Sequence, residues 1–142
     1  MTAKSNVILA LLVLIGFASC DNYGKKASTG HVETYYKDGI TQEQAKKTAT
    51  LIYNIDERGG NPKTEKSFQL CKTHDTVCFR MVLANEEKVK ELDPFDFLAM
   101  ANIVSDSVFN GAPVNIDLTN NKFESLRMIP YKKFGEDNKE KQ

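Results

Sequence analysis

The stretch from Phe68 to Leu83 restricts the fold more than any other part of this sequence. Apolar and polar residues alternate on both sides of His74-Asp75, which predicts two half-buried strands joined by a tight turn. A turn at those two residues sets Thr73 opposite Thr76, Lys72 opposite Val77, Cys71 opposite Cys78, Leu70 opposite Phe79, Gln69 opposite Arg80 and Phe68 opposite Met81. A four-residue loop, Thr73 to Thr76, preserves the same register. One face then collects Phe68, Leu70, Val77, Phe79 and Met81. The other collects Gln69, Arg80, Thr73, Thr76 and both cysteines. A slip of one residue would turn every side chain over, so the apolar alternation and the cysteine pairing select this register independently.

The segments around the hairpin alternate between strand and helix. Val32, Thr34, Tyr35 and Tyr36 predict a first strand over 31–37, ended by Asp38-Gly39. A helix follows from Thr41, with Gln44 completing a capping box and Ile40 placed to staple against Ala45. Ala45, Ala49, Ile52 and Tyr53 share its inner face, and Gly59-Gly60 and Pro62 stop it. Residues 85–92 form a charged connector with room for one helical turn. Asp93-Pro94 opens a second helix whose apolar face runs through Phe97, Leu98, Ala101, Val104, Val108 and Phe109. Val114, Ile116 and Leu118 alternate with Asn115 and Asp117 in a half-buried strand, and a last strand spans Phe123 to Ile129. A three- or five-residue loop is preferred between these two, because it keeps Leu126 and Met128 on the core face.

The order β-α-β-β-α-β-β implies an α+β fold. It fits a ferredoxin-like β-α-β-β-α-β unit plus a C-terminal strand, with two helices packed on one face of a mostly antiparallel sheet. The domain is expected over 31–134. Asp21 to Gly30 reads as a polar tether reaching at most about 35 Å, and 135–142 as a charged, disordered tail.

Three cysteines is an odd number. Cross-strand partners lie roughly 4.5–5.5 Å apart at Cα, within disulfide range. Cys71 and Cys78 are therefore expected to form a structural disulfide, contributing roughly 2–3 kcal/mol through the loop it closes. Two free thiols are the alternative. The spacing does not match a Cys-x-x-Cys redox motif.

The third cysteine ends an N-terminal pattern of its own. Lys4 precedes an unbroken apolar run from Val7 to Phe17, followed by Ala18-Ser19-Cys20. Eleven apolar residues rise only about 16 Å as a helix, too short for a stable span. The order resembles the signal peptide and lipobox of bacterial lipoproteins, in which a cysteine after small residues is acylated before cleavage; Phe17 stands where leucine is usual. The resemblance implies a signal over 1–19, a lipidated Cys20 opening the 20–30 tether, and an oxidising compartment of the cell envelope facing the periplasm or the exterior. Several acyl chains make such an anchor effectively permanent. An ordinary signal peptide, leaving Cys20 as a thiol, is the alternative. Asp21 resembles the inner-membrane retention signal of enterobacteria, while Lys25-Lys26 departs from the acidic surface-export signals of other groups.

Function classes narrow by composition and motif. Nineteen basic residues balance nineteen acidic ones, which excludes a broadly basic nucleic-acid-binding surface. No phosphate loop, zinc spacing, nucleophile elbow or calcium loop is present in the sequence, so no cofactor, metal or catalytic residue is expected. His31 falls at the tether edge and His74 in the hairpin turn, which does not suggest a shared site, and Asp75 suits that turn. The segments Phe79-Arg80-Met81-Val82 and Val108 to Val114 look like small α+β domains of uncharacterised bacterial proteins. The strand order is also similar, at fold level alone, to the SPOR peptidoglycan-binding domain. The expectation is a non-enzymatic envelope lipoprotein that binds another envelope protein through the polar sheet face. The surface residues are Gln69, Arg80, Thr73 and Thr76, with Tyr35 and Tyr36 beside them. A peptidoglycan- or glycan-binding module using the same tyrosines is the alternative.

Overall fold

A computed structural model describes residues 22–60 and 64–136. Its elements run β1 (Lys25–Thr29), β2 (Val32–Tyr36), α1 (Gln42–Arg58), β3 (Lys66–Thr73), β4 (Thr76–Val82), a 3-10 helix (Glu86–Lys90), α2 (Pro94–Val108), β5 (Val114–Thr119) and β6 (Ser125–Ile129). The strands form one six-stranded mixed sheet in the order β1-β2-β3-β4-β5-β6. Pairs β1/β2, β3/β4 and β5/β6 are antiparallel, whereas β2/β3 and β4/β5 are parallel. The molecule is thus three hairpins in a row, joined by two helical crossovers.

Both helices begin where local chemistry starts them. Thr41 accepts from the Gln44 amide and the Gln44 side chain accepts from the Thr41 amide, completing the capping box. Asp93 caps α2 by accepting from Phe95 N, with Pro94 at the first helical position. Asn110 and Gly111, both at positive φ, end it. The inner helix residues Ala45, Ala49, Ile52, Ala101, Val104 and Val108 join Val32, Leu70, Phe79, Val114, Ile116 and Leu118 in one core. Both helices therefore cover the same sheet face.

The ferredoxin-like strand order is not what forms. That order would interleave the crossovers and set β5 beside β2. Here β1 occupies that edge of β2, pairing Lys25 with Tyr36 through Thr29 with Val32. β5 is left to pair with β4 at the other side. Strands β2 and β3 run opposite to β4 and β5, both crossovers step the same way across the sheet, and both helices share a face. The two crossovers consequently have opposite hands, so one is left-handed, against the strong right-handed preference of such connections.

The reading of 20–30 as a tether is corrected from Lys25 onward. The β1/β2 hairpin closes at Gly30-His31, where Gly30 has φ +54, and a Cβ on Gly30 would strike the Tyr53 ring. Only Ala27 of β1 joins the buried core, which is why no apolar pattern announced the strand. The signal reading of 1–19 and the lipidation reading of Cys20 fall outside the described residues. No helix among the described residues is long and apolar enough to cross a membrane.

The last hairpin also differs. Ile116 pairs with Ile129 and Asp117 with Met128, with a bulge between Leu118 and Thr119. Ile129 is buried, while Met128 is 46% and Leu126 37% exposed. The loop explains the shift. Asn120 Oδ1 accepts from Lys122 N and Glu124 N, Phe123 adopts φ +58, and the phenyl ring is buried. Arg127 donates to the carbonyls of Val89 and Leu92, tying β6 to the connector before α2.

Candidate functional site

The β3/β4 hairpin has the register predicted from its sequence, from Phe68 opposite Met81 to Thr73 opposite Thr76. His74, rather than Asp75, takes the left-handed conformation in its turn, with φ 54. Its apolar face lies on the helices. On the opposite face β4 pairs with β5, so that Cys78 neighbours Asn115 and Arg80 neighbours Asp117. Three strands, β3, β4 and β5, therefore present polar groups side by side on a surface that neither helix covers.

At the centre of this surface is a buried polar network. Asp117 and Gln69 are each only 1% exposed. Arg80 Nε donates to Asp117 Oδ2 at 3.3 Å, and Arg80 Nη1 donates to Gln69 Oε1 at 2.7 Å. Gln69 Nε2 donates to the Tyr23 carbonyl at 2.9 Å, and Ser125 Oγ donates to Asp117 Oδ1. A buried carboxylate is tolerated only when paired and hydrogen-bonded, and both conditions hold for Asp117. Tyr23, Tyr35 and Phe123 roof one side of the network with rings packed edge to face, 5.2–5.9 Å between centroids.

Beyond the roof the surface opens into a groove of about 420 Å³ lined by Cys71, Thr73, His74, Thr76, Cys78, Arg80, Asn115 and Met128. Cys71 and Cys78 are opposed in register, half-buried and present as free thiols, with Cys71 Sγ 3.8 Å from the Cys78 carbonyl. The two are not equivalent. The Cys78 side chain hydrogen-bonds to Cys71, which outweighs burial and, with the charges of Arg80 and Lys37, holds the Cys71 thiol down to about 7. The same bond, followed by burial, pushes Cys78 up.

The residues named from sequence divide among four places. Thr73, Thr76 and Arg80 line the groove with the cysteines. Gln69 is on the right face but buried within the network, and Tyr35 belongs to the aromatic roof. Tyr36 is corrected: it lies on the helix-covered face, buried in the core, because β2 pairs it with Leu70 rather than Gln69. Sequence reasoning missed Asp117, Asn115, Ser125 and Met128. The available signal was the opposite charge of Asp117 and Arg80, which becomes adjacency only once β4 and β5 are known to pair. It also missed the partner of His31, whose Nε2 is 2.9 Å from Asp56 Oδ2, while Lys66 Nζ donates to Asp56 Oδ1 at 2.7 Å. That trio ties the β1/β2 turn to the end of α1 and the start of β3. No cluster of three or more His, Cys, Asp or Glu side chains suited to a metal ion occurs among the described residues.

Compared with known proteins, residues 26–130 match a family model described as AF_1994_N: family N-terminal domain. No curated protein and no solved structure matches the chain.

Proposed function

The chain belongs to the AF_1994_N N-terminal-domain family; on its N-terminal sequence and the open sheet face, we propose that it is a bacterial lipoprotein, anchored through acyl chains on Cys20, whose domain binds another protein of the cell envelope. The observation that carries the anchoring is the order of Lys4, the apolar run Val7 to Phe17, and Ala18-Ser19-Cys20, set directly before a folded domain. With β1 beginning at Lys25, the sheet lies at most about 18 Å along the chain from Cys20. Such a domain sits against its membrane rather than ranging from it.

The binding surface is the open groove beside the Arg80 network. Its threonines, asparagine and thiols offer donors and acceptors on rigid strands, which suits a polar protein segment. A glycan-binding reading draws on Tyr35, but that ring packs against Tyr23 and Phe123 instead of presenting a flat platform. Protein binding is therefore preferred, with peptidoglycan as the competing outcome.

The test is made on the full chain in a bacterial host. Cys20→Ala is expected to abolish incorporation of labelled fatty acid and move the protein from the membrane to the soluble fraction. A wild-type chain that takes up no label removes the anchoring. A partner recovered reproducibly with wild type should be lost with Thr76→Arg, which fills the groove. Undiminished recovery, or pelleting with purified peptidoglycan instead, removes the protein-binding reading.

A further inference from the structure

We propose that the outer-face groove is a thiol–disulfide exchange site, in which Cys71 is the attacking thiol, Cys78 the resolving thiol, and the substrate a low-molecular-weight disulfide. The inference concerns the groove itself and holds whether or not the chain is anchored or has a protein partner.

The backbone sets the pair within bonding reach. The Leu70 carbonyl accepts from Lys37 N, and Val77 N donates to the Pro113 carbonyl. Leu70 and Val77 thus turn their main-chain groups away from each other, toward β2 and β5. Their neighbours Cys71 and Cys78 must turn theirs toward each other, as a hydrogen-bonded cross-strand pair. Such pairs lie about 5.5 Å apart at Cα, at the commonest separation for a disulfide. The bridge can close and open without moving the strands.

The surroundings favour exchange over a buried staple. Both thiols line an open groove rather than the core, so a second sulfur can reach them. The groove wall of Thr73, Thr76 and Asn115 suits the polar body of a peptide-like thiol. Arg80, fixed by Asp117 and Gln69, brings a positive charge to both thiols, whereas Lys37, whose amide bonds to the Leu70 carbonyl next to Cys71, adds its charge to Cys71 alone. The Cys78 thiol hydrogen-bonds to Cys71, stabilising it as the thiolate, which is the nucleophilic form.

The chemistry balances. The Cys71 thiolate attacks one sulfur of a disulfide RSSR, forming a Cys71–SR bond and expelling RS⁻, which takes the Cys78 proton. The Cys78 thiolate then attacks Cys71 Sγ, forming the Cys71–Cys78 bond and expelling a second RS⁻, which takes a proton from water. Two protein thiols are oxidised and one RSSR is reduced to two RSH. Excess RSH reverses both steps.

The experiment uses the full chain with Cys20→Ser, so that only this pair reports, equilibrated in buffers of reduced and oxidised glutathione. Free thiols are trapped by alkylation and counted by mass. A reversible transition between two thiols and none, within the range of those buffers, is expected. A pair that stays oxidised, or reduced, at every ratio overturns the proposal. Adding Cys78→Ser keeps a hydroxyl to donate to Cys71 and should trap one glutathione per chain on Cys71. The Cys71→Ser counterpart should acquire it roughly tenfold more slowly, following the thiolate fraction at neutral pH. Equal rates overturn the assignment of roles. If either single variant fails to fold, alkylation rates of the reduced two-thiol chain decide instead: Cys71 must react roughly tenfold faster than Cys78, and equal reactivity overturns it.

Discussion

Asp56 shows what one side chain does in this molecule. Its carboxylate is 11% exposed and accepts from Lys66 on one oxygen, while His31 lies within hydrogen-bond distance of the other. Burial alone would raise its pKa, but the hydrogen bonds from Lys66 and His31 more than offset this and hold it below the ordinary 3.8. Because the folded value is the lower one, the stabilisation is fully present above the unfolded value and is lost as pH falls through the folded one. Asp56→Asn should therefore cost about 1–3 kcal/mol near neutral pH by weakening charge-assisted bonds in a half-buried setting. Below pH 3.8 the difference between variant and wild type should shrink. Urea unfolding of both chains at several pH values checks this, and a difference independent of pH down to strong acid contradicts it. Nothing in the sequence revealed the trio. His31, Asp56 and Lys66 sit on three different elements and meet only through the β1/β2 turn, which itself was not legible.

At the scale of elements, two hairpins with similar patterning had opposite outcomes. In β3/β4 the apolar alternation and the position of the cysteines both pointed to one register, and that register forms. In β5/β6 the apolar pattern stood alone. Leu126 and Met128 suggested a core face, yet the core position is Ile129, and Arg127 spends its guanidinium on the Val89 and Leu92 carbonyls. The bulge next to Thr119 and the left-handed Phe123 displaced the register, and neither leaves a mark in apolar periodicity. The difference is measurable. Leu126→Thr and Met128→Thr should each change stability by no more than about 0.5 kcal/mol, as exposed positions do. Ile129→Ala should cost about 2–4 kcal/mol. The reverse ranking in denaturant unfolding would restore the register with Leu126 and Met128 inside. The helices were the most legible elements, because their caps are local: Thr41 with Gln44, and Asp93 with Pro94, act within one turn.

At the scale of the whole molecule, the first strand decides both the topology and the extent of the domain. With β1 on the free edge of β2, the strands fall in chain order and the helices share a face through crossovers of opposite hand. Lys25 and Lys26 on this exposed edge also discourage pairing with a further strand. The segment before β1 contributes on the other face, where Tyr23 accepts from buried Gln69 and packs on Tyr35 and Phe123. A chain beginning at residue 31 would lose all of this together. It would expose the β2 edge and Ala27's place in the core, free Gln69 from its acceptor, and open the roof over the Arg80–Asp117 network. Each such loss is on the order of 1 kcal/mol. In a domain of this size a combined 2–3 kcal/mol corresponds to roughly 10–15 °C in melting midpoint. A chain beginning at residue 22 should therefore melt cooperatively at least about 10 °C above one beginning at 31. The shorter chain should also show faster amide exchange in β2 and at Gln69, where protection depended on β1 and Tyr23. Equal midpoints with unchanged exchange would mean that β1 adds no stability and that the domain starts at β2. A drop confined to the first strand's own signals, with the Arg80 network still protected, would separate edge pairing from the roof. The fold would then be held by its five remaining strands.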